Sequence, residues 1–304
     1  MTSSRFCRTL SLIVALSLLG LAMGAEEHAS NKTYKIKLER PSKVGEKADV
    51  SVTATMTETA TFSFKDREPE KSVTSTAITL EGHGETLAID SHGWETKASL
   101  KLTKTEINRD GKTTTILPAG TLLEVSLDGD KTVFKVDGKP VSDEAADALS
   151  EVLFLHDART HGDDEVYVND KPQKVGANWP LNADLAAKDL SVLGLPVTSK
   201  HVTGSSSLVD VETSDGVPCL HVQLIMDADE ITAQMAEGLV PGKTAMQMLL
   251  HIMVPIDQSS QYGRASLATR VAITATRPAG KDGPAATIRR VIERGRSVIA
   301  KPVK

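Results

Sequence analysis

The chain has 304 residues, a formal net charge of −5, two cysteines and only 3% aromatic residues. A mildly acidic balance lacks the basic footprint of a nucleic-acid binder, so no nucleic-acid partner is expected. Scarce rings argue against a sugar-stacking platform or an aromatic-anchored interface.

At the N-terminus, Arg5 and Arg8 precede an apolar run from Leu10 to Met23, and Ala22 and Gly24 put small residues where a signal peptidase reads. This predicts a leader over residues 1–24, cleaved after about Gly24, and an exported protein, periplasmic or extracellular. The run is shorter than the roughly 20 residues that span a bilayer, so no transmembrane anchor is expected after processing. Loss of the leader removes Arg5 and Arg8, so −5 becomes −7, and leaves Cys219 with no disulfide partner. The remaining chain of about 280 residues is long enough to be held by its core.

Residues 40–45, RPSKVG, and 171–176, KPQKVG, are near copies. Pro fixes φ and Gly permits a positive φ, so both read as turns that launch the next element. A duplicated half-domain would leave the same trace. After the first comes the clearest pattern in the chain. Ala48, Val50, Val52, Ala54, Met56, Ala60, Phe62 and Phe64 share one parity, and a file of threonines and serines fills the other. Alternation of period two predicts one long strand with a dry and a wet face. Glu58 interrupts the apolar file, which predicts a bulge or bend there.

EGHGETL and SHGWE then read as two hairpin turns around a short strand, bearing His83 and His92. Alternation resumes at Trp94, Ala98, Leu100 and Leu102. Leu123, Val125 and Leu127 lead through DGDK into TVFKV, an Asp-Gly hairpin signal. VSDEAADALSEVLFLHDA predicts a helix with Ser142 as N-cap and a stripe of Ala145, Leu149, Val152, Leu153 and His156. NADLAAKDLSVLG predicts a second, stopped by Gly194 and Pro196, and ADEITAQMAEG a weaker third. Strand alternation returns at Leu220 to Met226, Met246 to Val254, and Leu267 to Ile273.

The fold class is therefore mainly β or α+β: a large curved antiparallel sheet, as one piece or two β-lobes, with one or two covering helices. The expected divisions are the leader, a β-rich lobe over 25–160 ending in the helix, a second lobe over 161–280 that continues or parallels the first, and a flexible basic tail over 281–304. That tail sets Arg289, Arg290, Arg294, Arg296, Lys301 and Lys304 against Glu293 alone.

DGKPVS with its helix, KPQKVGANWPLN and DGVPCLHVQL, in that order behind a leader, resemble a loose group of exported bacterial β-rich proteins with no assigned activity. The resemblance implies export and β-rich architecture and carries over no catalytic residue.

Few constellations could carry chemistry. GLVPGKT at 238–244 has three residues where a phosphate-binding loop needs four, and Pro241 supplies no N–H, so Gly242-Lys243 reads as a turn. LHDARTHGDDEV gathers His156, His161, Asp163 and Asp164, residue types that suit a divalent metal, but a five-residue histidine spacing does not share a helix face. An acidic surface loop is the plainer reading. Cys219 and His221 fall on one side of a strand, a thiolate–imidazole spacing with no orienting Asn or Asp in evidence. No G-x-S-x-G, no H-E-x-x-H and no cysteine set for metal or haem occurs. No catalytic residue and no cofactor is expected. The functional expectation is a non-catalytic exported protein binding an apolar or lipid-like ligand between sheet and helix, with Met226, Met246 and Met248 as an adaptable lining. The alternatives are an envelope scaffold or protein-interaction factor, and a metal-dependent hydrolase built on residues 156–165.

Overall fold

The computed structural model describes residues 32–233, 235, 237–279 and 285–303, so the leader expected over residues 1–24 lies outside them. In chain order the first part comprises β1 (Thr33–Tyr34), β2 (Lys47–Phe64), β3 (Glu70–Ile89), β4 (Glu95–Arg109), β5 (Lys112–Thr115), β6 (Leu122–Asp128), β7 (Lys131–Val136) and β8 (Lys139–Pro140). Helix α1 (Asp143–Ser150) and α2 (Asp163–Tyr167) follow, then β9 (Gln173–Lys174), β10 (Asn178–Pro180) and α3 (Ala183–Val192). After one 3-10 turn come β11 (Val202–Ser214), β12 (Val217–Ala228), β13 (Val240–Pro255), β14 (Gly263–Arg277) and β15 (Ala286–Pro302).

Thirteen of these strands form one antiparallel sheet, not closed into a barrel. Its order is β10-β11-β12-β13-β14-β15-β2-β3-β4-β6-β7-β8, with β5 on β4; β1 pairs β9 separately. The sheet is thus two meanders sewn together where the last strand meets the first long one, from Ala286 opposite Phe64 to Pro302 opposite Ala48. Segment 286–302, expected as a flexible basic tail, is a central strand instead. Its arginines hid an apolar alternation; acidic residues from elsewhere answer two of them, and its own Glu293 answers an arginine of the next strand. Arg290 meets Glu58, Arg294 meets Glu151, and Arg270 of β14 meets Glu293.

Residues opposed across a ladder share a face. Val52 lies between Leu80 and Val298, so these three point the same way, and that face is dry along most of the sheet. Over β2, β3, β4 and β6 it carries Val52, Leu80, Leu102 and Leu123, closed by Leu149 of α1 and Val152 beyond it. Each fully buried aliphatic side chain contributes roughly 1.5–3 kcal/mol. Over β11 to β13 the same face is covered by α3, through Ala186, Ala187 and Leu190, and by Ile36 and Trp179. Met226, Met246 and Met248 pack there under α3, not along an open lining. Sheet interiors need a roof, and the nearest helix claims the methionines.

The two near-identical hexapeptides form one and the same turn. Gly45 and Gly176 both sit at φ +84. Glu46 N–H donates to Lys43 O and Ala177 N–H to Lys174 O, both at 3.0 Å. A type II turn puts a positive φ at its third position, which is where each glycine stands. Both glycine N–H groups also bond a neighbouring backbone carbonyl, Gly45 to Thr86 O and Gly176 to Leu208 O. What they launch differs: the 18-residue β2 against the 3-residue β10.

Several local expectations change. Glu58 makes no bulge: the register runs unbroken past it on both sides, because the carboxylate bonds Arg290 instead of breaking the strand. EGHGETL is no turn but part of the second half of the 20-residue β3. Its Gly82 marks a β-bulge against β4, where an added Cβ would lie 2.7 Å from Lys101 O, so the glycine serves close approach. SHGWE is the turn expected. Asp90 N–H donates to Trp94 O, and the Asp90 carboxylate takes the N–H groups of His92 and Trp94. Gly242-Lys243 lies within β13 at a register shift between Pro241 and Thr244, a bulge where a turn was expected. Helix α1 has its Ser142 cap, 3.3 Å from Ala145 N, but ends at Ser150, well short of His156. The described part of segment 228–238 forms no helix.

Candidate functional site

The four metal candidates go separate ways. His156 lies on Trp94, ring centroids 3.5 Å apart, and its Nε2 is buried without a partner; burial lowers its pKa. His161 Nδ1 is 2.7 Å from Asp189 of α3. Asp164 accepts the N–H of Leu38 at 2.6 Å, and the N–H of Asp163 donates to Glu39 at 2.8 Å. The acidic run therefore opens α2 and staples the segment around residues 38–39 to it. Asp163 keeps an exposed surface, so solvent limits how far crowding by protein, with Asp164 and Asp189 adding, raises its carboxyl. Among the described residues, no three His, Cys, Asp or Glu side chains converge to hold a metal.

The thiol candidate also dissolves. Cys219 is fully buried, and burial raises its thiol. His221 turns to Glu212 through Nδ1 at 3.3 Å and to His251 through Nε2 at 2.9 Å. A consistent protonation has His221 Nδ1–H donating to Glu212 and His251 Nδ1–H donating to His221 Nε2. His83 bonds Asp49 on the exposed face, and His92 stacks on Trp94.

What the fold does build is a groove of about 300 Å³ between the dry face and the strap that follows α1. Ala48 and Val50 of β2, Gly84 of β3, Leu100 of β4, Val125 of β6 and Ala300 of β15 make its floor. Leu153, Phe154 and Leu155 make the roof. The strap is fixed at both ends: Leu153 N–H donates to Leu149 O at 2.7 Å, and Leu155 N–H to Thr132 Oγ1 at 3.2 Å. At the rim, Glu46 accepts the Lys43 N–H, Glu95 accepts the Thr86 hydroxyl, and Gln261 donates to Pro41 O. The rim carboxylates are thus engaged, and neither histidine nor cysteine lines the groove.

Phe154 is the odd member. It stays 59% exposed although it is a large ring beside a core, and the guanidinium of Arg296 lies 4.2 Å from its centroid. Arg296 comes from the dry face of β15, opposite Ala54. One of its N–H groups donates to Val152 O at 2.8 Å, and its Nε is buried with no partner.

Sequence reading found the α1 stripe but not the strap. The signal was there in Val152-Leu153-Phe154-Leu155, four consecutive apolar residues where a helix face would need polar ones. Among the described residues, no helix is long and apolar enough to cross a membrane. Comparison of the chain with protein-family models, and with curated proteins, finds no match.

Proposed function

We propose that the protein is an exported, non-catalytic carrier or sensor that holds an apolar, lipid-like ligand in the groove between sheet and strap. The observation that carries this reading is the lining itself. Backbone from five strands converges on a concave apolar floor, and the strap lays three apolar side chains over it. Concave, mostly apolar sites with a few polar groups at the edge are how proteins take small ligands. The one hydroxyl beside a carboxylate, Thr86 on Glu95, is buried, Lys47 pairs Glu85, and Glu46 and Gln261 bond backbone, which favours binding over chemistry.

The experiment is extraction. The protein is purified from its native cells without detergent, extracted into organic solvent and analysed by mass spectrometry. A carrier brings an apolar molecule in near-stoichiometric amount. An extract no richer than that of an unrelated exported protein contradicts the reading.

A further inference from the structure

Three arginines stand on the dry face of β15, and they are treated differently. Arg290 forks onto Glu58 at 2.5 and 2.7 Å. Arg294 approaches Glu151 at 3.7 Å. Arg296, the one nearest along β15 to the groove-floor residue Ala300, has no carboxylate within 4.0 Å among the described residues. Its neighbours are a carbonyl, an aromatic face and a core strand.

A desolvated cation with no counter-ion costs several kcal/mol, which proteins ordinarily avoid by pairing it. The planar guanidinium presents a fork that matches a carboxylate at two points. The ring of Phe154 both lines the groove and faces the guanidinium. A ring already 59% exposed gives up little buried surface by swinging out.

Resting on the groove reading above, we infer that the ligand is an anionic amphiphile, a long-chain carboxylate, whose tail lies on Val50, Leu100 and Val125 and whose headgroup displaces Phe154 to meet Arg296. Burial pulls the guanidinium down to about 10, so it remains charged at neutral pH. A cationic headgroup is the rival, since Glu46, Glu85 and Glu95 also rim the groove and, among the described residues, only Glu85 has a cation, Lys47 at 3.6 Å.

The test uses the full chain and the neutral fluorophore N-phenylnaphthylamine, displaced in turn by dodecanoate, dodecanol, dodecyl phosphate and dodecyltrimethylammonium, all below their micellar concentrations. Dodecanoate is expected to displace the fluorophore at about tenfold or more lower concentration than dodecanol, the worth of a charge-assisted fork. Arg296→Met should abolish that preference while binding the fluorophore within about twofold of the native chain, the change expected when only the headgroup contact is lost. Met fills similar volume, and replacing an uncompensated buried charge by an apolar group does not ordinarily weaken a fold. Should it fail to fold, Arg296→Lys keeps the charge without the fork and is expected to show a reduced but persistent preference. Equal displacement by dodecanoate and dodecanol, or a preference that survives in Arg296→Met, overturns the headgroup assignment while leaving the groove intact. Dodecyl phosphate outcompeting dodecanoate overturns the carboxylate in favour of phosphate. Dodecyltrimethylammonium displacing the fluorophore at lower concentration than dodecanoate overturns the anionic assignment. Failure of the native chain to bind the fluorophore sinks the groove and its headgroup together.

Discussion

Arg290 and Glu58 lie 232 residues apart and meet in a two-point fork at 2.5 and 2.7 Å, on the seam where β15 joins β2. The hydrogen bond from Arg290 holds the Glu58 carboxyl below its ordinary value. The pair is half open to solvent on the arginine side, so its worth stays below about 1 kcal/mol. Its sign is definite. A depressed carboxylate contributes stability above its unfolded pKa of about 4.3 and loses it as pH falls through the folded value. Urea melts of Glu58→Gln should show a small loss at pH 7 that vanishes in strong acid. A loss that persists unchanged there would place the effect in packing.

Deleting residues 286–304 tests the seam more severely. If β15 is the central strand, truncation opens the sheet between β14 and β2 and exposes both, and the far-ultraviolet circular dichroism of the native sheet should collapse. A truncated chain that melts like the full one would restore the flexible-tail reading.

Gly45→Ala and Gly176→Ala should each destabilise by about 1–2 kcal/mol, the cost of a side chain in left-handed backbone. Nothing lies within 4 Å of a Cβ at either site, so the loss is torsional, and Asn should recover part of it. Thermal melts of the two variants are expected to agree. A large difference between them would show that one turn bears load beyond its own conformation.

His251 has its pKa lowered, first by burial and then by the neighbouring His221. A base held neutral in the fold contributes stability above its unfolded pKa, about 6.5 by reference, and loses it as pH falls through the lowered folded value. Stability should therefore decline below about pH 6.5 as the unfolded chain takes up the proton first. His251→Gln should flatten that part of the curve, and imidazole NMR titration should find His251 below the reference value. Equal slopes in the native and variant chains would assign the decline elsewhere.

Period two made β2 legible residue by residue, because one face is apolar but for Glu58 and the other is hydroxyl from Ser51 to Ser63. The DGDK hairpin and the Ser142 cap were legible for the same local reason. β15 was not. Its alternation runs Ile288, Arg290, Ile292, Arg294, and only the acidic partners Glu58 of β2 and Glu151 at the end of α1 reveal why these two arginines stand on a dry face. Nor was the long β3, whose glycines 82 and 84 look like turn residues until the close approach of Lys101 and Leu100 is known. The groove depends on both hidden strands, which places it beyond a reading of the chain in one dimension. The His156–Asp164 cluster is the converse case: residues close in sequence, with suitable chemistry, turn to different neighbours.

The most direct test of the groove is to follow methyl NMR signals while N-phenylnaphthylamine is titrated into the protein. Perturbations are expected at Val50, Leu100, Val125, Leu153 and Leu155, with Leu190 of α3 and Met226 beneath that helix unmoved. Saturable shifts confined to the α3 side, or none anywhere, would contradict the groove as the binding site.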